Sequence, residues 1–317
     1  MISRLFSLSA LFACFLPFVA GCSSSKTNAE EELLPGVISI VVSVEPQVTL
    51  VERIGGDRVA VAVLVPVGKE PENYQPAPDT VTRMSRAAVF FRIGFPFEDS
   101  LMPKLKTVAP KLIVADFRAH LKMRPLELHS HDHSGHDHAG HDHAHHDDDV
   151  HTWLGTENLK LQAATVLNTL AALDPENESE YAANYEKLLT DLEKLHVETA
   201  ERLKPFAGKT IYVFHPAYGY FCDEFNLKQK AIEFEGRTPK PREQADWIRS
   251  LGAEEKPTIF VQPEFNRSAA ESMTRQSGGQ IVVHSPLQRD PLEAIRTMAD
   301  LIVKHLTPAV AESASKE

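Results

Sequence analysis

The 317-residue chain carries 33 Lys or Arg against 44 Asp or Glu, and this formal charge of −11 argues against nucleic acid as a partner. No basic patch or arm appears in the sequence to offset it. Its 43% hydrophobic content, 16 Phe and 21 Pro exclude a wholly disordered chain and fit a globular protein with many defined turns.

Arg4 precedes a mostly apolar run, Leu5 to Ala20, which Pro17 interrupts and Val19-Ala20-Gly21-Cys22 closes. Small residues at that end mark a secretory signal over residues 1–21, and the run is too short and broken to favour a permanent membrane span. Cys22 after Ala20-Gly21 has the look of a bacterial lipobox, in which the cysteine is lipidated and becomes the mature N-terminus. Plain secretion with an incidental cysteine is the alternative. Residues 22–35 then form a polar tether. Roughly 295 residues remain, enough for one large or two medium domains. Cys14 leaves with the signal and Cys22 carries lipid in this reading, so Cys222 has no partner for an intramolecular disulfide. Cys222 reads either as a small buried apolar residue or as a redox-sensitive thiol.

Val37 to Val44 and Val59 to Val65 are continuous β-branched runs, which suit strands buried on both faces of a parallel sheet. Gln47 to Ile54 between them has helical spacing and ends at Gly55-Gly56. Val81 to Arg86 leads into a strand over Ala88 to Ile93, and Lys111 to Ala115 supplies another. Strand and helix alternate, which predicts an α/β lobe. A helix follows from Glu157 to Leu173, broken by Asp174-Pro175. Asn177 with Glu180 resembles a capping box, and Tyr181, Tyr185, Leu188, Leu192 and Leu195 recur at helical spacing. That second helix runs to Leu203 and is roughly 40 Å long at 1.5 Å per residue. Beyond it, Thr210 to Phe214, Thr258 to Val261 and Gln280 to Val283 read as strands. Helices are predicted near Ala217 to Phe225, Pro241 to Leu251, Arg267 to Gly278 and Leu292 to Leu306. The fold class is therefore α/β: two similar lobes, each a mainly parallel sheet flanked by helices, joined by one long rigid helix. The predicted boundaries are 36–173 for the first lobe, 174–204 for the bridging helix and 205–317 for the second lobe.

Residues 129 to 151 read HSHDHSGHDHAGHDHAHHDDDVH and hold ten of the 15 histidines. Such a segment has almost no apolar side chains to offset the entropy of ordering, so a disordered loop over 129–148 is expected inside the first lobe. Its imidazoles and carboxylates suit divalent transition metals. His129, His131, His133, His136, His138, His141, His143, His145 and His146 are candidates for weak metal binding without fixed geometry. A solvated polar loop is the alternative.

Four segments at or just beyond predicted strand ends each supply one metal-ligating side chain, two per lobe. Open α/β sheets place ligands there. The segments are Gly68 to Pro76, Asp149 to Leu154, Phe214 to Phe221 and Gln288 to Leu292. Taken singly, each side chain has another reading, and Asp290 before Pro291 fits a helix N-cap as well as a ligand.

These motifs resemble those of the solute-binding components of zinc- and manganese-uptake ABC transporters, over nearly all of residues 36–310. The matches are Val150-His151-Thr152-Trp153-Leu154, Phe214-His215-Pro216-Ala217-Tyr218-Gly219-Tyr220, Ile232 to Pro239, and Phe260-Val261-Gln262-Pro263-Glu264-Phe265. The acidic-histidine loop also lies where the zinc-binding members carry theirs. The resemblance implies a metal ion held between the lobes and delivered to an ABC permease in the cytoplasmic membrane. It implies a non-enzymatic and monomeric protein, exported and lipid-anchored through Cys22 outside the cytoplasmic membrane or in the periplasm. Glu72 occupies the position where the family usually has a histidine, and Gln262 stands where it often has a glutamate. The implied ligands are Glu72, His151 and His215, with Asp290 as a fourth. Two imidazoles and one or two carboxylates suit Zn2+ and leave Mn2+ and Fe2+ open. Trp153, Tyr218 and Phe221 are expected to bury the site. The second lobe cannot form the disulfide that some zinc-binding members have. A secreted zinc hydrolase is the rival class, but the chain lacks a His-Glu-x-x-His pair and has no evident general base beside either motif histidine.

Overall fold

A computed structural model describes residues 36–126, 148–232, 241–251, 257–265 and 267–307. The signal segment, Cys22 with its tether and the nine loop histidines lie outside the described residues.

The first sheet contains β1 (Ile38–Val42), β2 (Val59–Val63), β3 (Val89–Arg92) and β4 (Ile113–Asp116), all parallel in the order β2-β1-β3-β4. Its register sets Ile40 opposite Val61 on one side and Val89 on the other. The β-branched run of β1 is central and buried towards its end, as its sequence requires. The equally apolar run of β2 is an edge strand with half-exposed residues, so its composition overstates its burial. Helices α1 (Pro46–Gly55), α2 (Thr80–Met84) and α3 (Pro96–Val108) complete the crossovers. Helix α3 carries no clear apolar period, and the sequence reading does not include it.

The second sheet repeats the plan with β5 (Thr210–Val213), β6 (Lys228–Ala231), β7 (Thr258–Val261) and β8 (Gln280–Val283), parallel in the order β6-β5-β7-β8. The edge strand β6 reads KQKA and lacks the apolar run that marks the others, so it too is absent from the sequence reading. Helices α6 (Gly219–Glu224), α7 (Pro241–Leu251), α8 (Arg267–Ser277) and α9 (Pro291–His305) connect and cover these strands.

Between the sheets run α4 (Thr156–Leu173) and α5 (Glu178–Leu203). The 26 residues of α5 confirm the long helix. Its Tyr181, Leu188, Leu192, Leu195 and Leu203 form a buried stripe against α1, α4 and α9, and each fully buried side chain contributes about 1.5–3 kcal/mol. Asn177 does not cap the helix as its capping-box spacing predicts. Its amide instead donates to both oxygens of Asp174, at 2.9 and 2.8 Å, and Tyr181 donates to the same carboxylate at 2.7 Å. One hydrophobic cluster is continuous from Ile40 and Phe91 through Leu192 to Phe260 and Ile295, so both sheets share a core across α5 and α9. A second cluster, with Tyr212, Trp247, Ile259 and Phe265, lies within the second lobe.

Cys222 is 2% exposed and forms no disulfide among the described residues, in keeping with the reading of a small buried residue. His284, also buried, donates from Nε2 to the Ala294 carbonyl (3.0 Å), and its Nδ1 lies 2.9 Å from the Tyr218 hydroxyl. Burial pushes its pKa down to about 4, so the imidazole is neutral inside the lobe.

Candidate metal centre

Two segments of the first lobe and one of the second converge between the sheets. The loop after β2 carries Glu72. The segment preceding α4 carries His151 just before a tight turn, Thr152–Leu154, pinned where Gln162 Nε2 donates to Thr152 Oγ1 at 2.7 Å. The loop after β5 carries His215. Glu72 Oε1 lies 3.0 Å from His151 Nε2 and 3.1 Å from His215 Nε2, and the two nitrogens are 3.1 Å apart. Tetrahedral zinc with bonds of about 2.0–2.1 Å has donor–donor edges of about 3.3 Å, so this triangle is close to one face of such a polyhedron. Among the described residues these three form the group of His, Cys, Asp or Glu side chains able to hold a metal ion.

Three lone-pair donors packed this closely need a positive charge among them. Burial alone would raise the Glu72 pKa, but the His215 charge and the hydrogen bonds to both histidines hold it well below the usual carboxylate range. Burial would lower the His151 pKa, and the carboxylates of Asp149 and Glu72 raise it instead. A divalent cation can take the place of protons on these groups, because its ligands must be deprotonated. The second carboxylate oxygen, Glu72 Oε2, is buried and without a hydrogen-bond partner among the described residues, which leaves it available to the same cation.

Each histidine is held from behind. His151 Nδ1 donates to Asp149 Oδ1 at 2.8 Å, and the His151 backbone N–H donates to the same oxygen at 3.0 Å. This carboxylate–histidine pair fixes the tautomer that leaves Nε2 facing Glu72. Asp149 is fully buried, and Arg124 Nη1 donates to its Oδ2 at 2.9 Å while Nε donates to Asp223 of the second lobe at 2.9 Å. The guanidinium lies against Gly219, where a Cβ would sit 1.6 Å from Arg124 Nη1, so only glycine admits this ion pair. His215 is held through its backbone: its N–H donates to Gln262 Oε1 (3.1 Å), and Gln262 Nε2 returns a bond to its carbonyl (2.9 Å). Phe265 stacks on the His215 ring at 4.4 Å. Trp153 packs 5.4 Å from the His151 ring and donates to the Pro286 carbonyl at 2.7 Å, so one indole covers the site and ties the two lobes.

The structure thus brings together Glu72, His151 and His215. It does not bring Asp290 to them. Asp290 is the N-cap of α9, where its Oδ1 accepts from the Leu292 N–H at 2.9 Å, the alternative that its place before Pro291 already offered. Of the three aromatics expected to bury the site, Trp153 packs on His151, while Tyr218 packs on His284 and Phe221 on Phe225 inside the second lobe. Asp149, Arg124 and Phe265 carry supporting roles that the sequence reading did not assign. The signal for Asp149 was its place two residues before a ligating histidine, and Arg124 had none. Asp149→Asn should weaken zinc binding by about 10–100-fold without changing the stoichiometry, the usual cost of losing such a partner. Competitive titration against a chromophoric chelator reads this directly, and an unchanged affinity would deny Asp149 its orienting role.

Two parallel-sheet lobes astride a long helix, with a cluster of side chains able to hold a metal ion at their junction, define a solute-binding architecture of the metal-binding type. The family model for zinc-uptake complex component A, periplasmic, matches residues 40–307, and the chain belongs to that family of metal-binding ABC transporter components. A crystal structure of ZnuA superposes with a TM-score of 0.77 at 31% identity, covering 86% of this chain and 100% of that one. A ZnuA deletion mutant with zinc bound gives 0.75 at 30% identity, over 86% of this chain and 99% of that one. The manganese-binding lipoprotein MntA of Halalkalibacterium halodurans is 26% identical over 269 residues, 83% of this chain and 82% of the relative. The iron transporter lipoprotein MtsA of Streptococcus pyogenes serotype M1 is 25% identical over 295 residues, 90% of this chain and 89% of the relative. The family consists of transport components and not enzymes. No helix among the described residues is long and apolar enough to cross a membrane.

Proposed function

We propose that this chain binds one zinc ion through Glu72, His151 and His215 and delivers it to an ABC permease for import. The observation that carries this reading is the triangle of donor atoms at 3.0–3.1 Å, contributed by both lobes. Two imidazoles favour zinc among available divalent ions, and the zinc-bound ZnuA mutant supports the same cargo. Manganese or iron is the second reading. It draws on the carboxylate of Glu72, a harder ligand than a third imidazole, and on relatives named for those two metals.

In this reading the histidine loop, 129–148, is a low-affinity antenna that raises the local zinc concentration or senses plenty. Cys22 carries the lipid, residues 22–35 are the tether, and the protein works as an exported monomer beside its permease. Asp290 stays a capping residue and takes no part in coordination. Competitive titration of the lipid-free chain with zinc and manganese tests the assignment. Deleting residues 129–147 should leave one tight zinc site and remove several weak ones. Loss of the tight site on deletion would transfer it to the loop, and manganese binding tighter than zinc would establish the second reading.

A further inference from the structure

The metal-binding reading leaves a question of access. His151 and His215 are each 4% exposed, and Glu72 is the least buried of the three ligands. A cavity of about 560 Å³ lies between the lobes at the C-terminal ends of β1, β2, β7 and β8. Glu45, Val65, Lys69, Glu264, Ser285 and Arg289 are among its lining residues. Three stretches of its wall lie close in sequence to residues of the metal centre. The stretch Val65–Lys69 continues into the loop that bears Glu72. Glu264 immediately precedes Phe265, the ring stacked on His215. Ser285 and Leu287 line the cavity on either side of Pro286, whose carbonyl receives the Trp153 indole.

The charges in this cavity are unevenly committed. Arg289 is neutralised by Glu45 at 3.3 Å and Glu52 at 2.7 Å. Glu264 has no cationic partner among the described residues. Ser285 Oγ donates to its Oε1, which fixes the carboxylate, while Oε2 is buried and without a hydrogen-bond partner among those residues. A half-buried carboxylate fixed by one hydroxyl, with its second oxygen buried and unbonded among the described residues, has a lone pair free for a cation passing through the cavity.

We propose that this inter-lobe cavity is the route by which the cation enters and leaves, with Glu264 as the carboxylate that takes it transiently between solvent and the Glu72–His151–His215 centre. The inference rests on the metal-carrier reading. Glu264 does not belong to the group of mutually close donors, so it is a waystation and not a permanent ligand. A waystation lowers the barrier in both directions and leaves the end states alone.

Stopped-flow measurement of zinc association and dissociation with the lipid-free chain lacking residues 129–147 tests this, comparing the native cavity with Glu264→Gln and Glu264→Asp. Local carboxylate fields change on-rates by about 10–1,000-fold. Glu264→Gln should therefore slow both association and dissociation by about tenfold or more while Kd stays unchanged, and Glu264→Asp should restore most of both rates. Unchanged rates would overturn the route. A weaker Kd with faster dissociation would make Glu264 a permanent ligand, and slower association alone that vanishes at high salt would reduce it to a distant charge; either result overturns the proposal. The parent chain, tested in the same experiment, separates the two readings, because absence of one tight zinc site there removes the carrier reading itself.

Discussion

His215→Ala is expected to abolish tight zinc binding, leaving the chain with only the weak sites of its histidine loop. Losing an outer-sphere partner of a zinc ligand typically costs about 10–100-fold in affinity, and removing one of three directly coordinating side chains should exceed that. His215 is also the contribution of the second lobe to the donor triangle, with Nε2 3.1 Å from both Glu72 Oε1 and His151 Nε2. Without it, the two first-lobe ligands face a void and the cation has no bond to the second sheet. Glu72→Ala should weaken zinc by a comparable factor. Glu72→His should do something different. Exchanging the carboxylate for a third imidazole makes the ligand set softer and uncharged, so the ratio of zinc to manganese affinity should rise by about tenfold or more. Competitive chelator titrations on the loop-deleted chain measure all three. Full zinc affinity in His215→Ala would show that the triangle is not the site, and an unchanged metal ratio in Glu72→His would mean that Glu72 does not set selectivity.

The sequence carried the fold through its strongest local signals. The central strands β1 and β5, the buried strand β7 and the long amphipathic α5 each announce themselves by composition or period, and the structure places them within a few residues of expectation. What stayed hidden is what has weak local character. The edge strand β6, KQKA, is a strand because β5 offers it hydrogen bonds, not because its side chains demand it. Helix α3 has Pro103 inside it and mixed polarity throughout. The same distinction governs the site. His151 sits in a motif whose neighbour, Trp153, packs against it, whereas the ring stacked on His215 is Phe265, distant from it in sequence. Asp290 sat in an equally plausible position after a strand, yet local chemistry decided its fate: an aspartate before Pro291 satisfies an open helix N-terminus where it stands. Arg124 was beyond reach of any local reading. Its role exists only because the fold brings Asp149, Asp223 and the missing side chain of Gly219 together.

Zinc should also act as a bolt between the lobes, and its removal should cost stability in proportion to affinity. Glu72 and His151 belong to the first lobe and His215 to the second, so a cation bound by the proposed triangle would be coordinated by both halves of the molecule. A ligand that binds only the native state stabilises it by about 4.1 kcal/mol when its free concentration is 1,000 times Kd. In chains of this general size each kcal/mol moves Tm by about 2–4 °C, which predicts a rise of about 8–16 °C with zinc and its reversal on chelation. The loop histidines, if they bind zinc as proposed, should behave oppositely. Where ligands have no fixed geometry, they bind metal as well in the unfolded chain as in the folded one, and such binding cancels from the difference. The loop-deleted chain should therefore keep the whole zinc-dependent rise. His215→Ala, if it loses at least about 100-fold in affinity, retains no more than about 1.4 kcal/mol at the same zinc concentration, or about 3–6 °C. Differential scanning calorimetry of the three proteins, with and without chelator, reads the contrast. A rise that survives His215→Ala in full, or that disappears with the loop, would place the stabilising metal somewhere other than between the lobes.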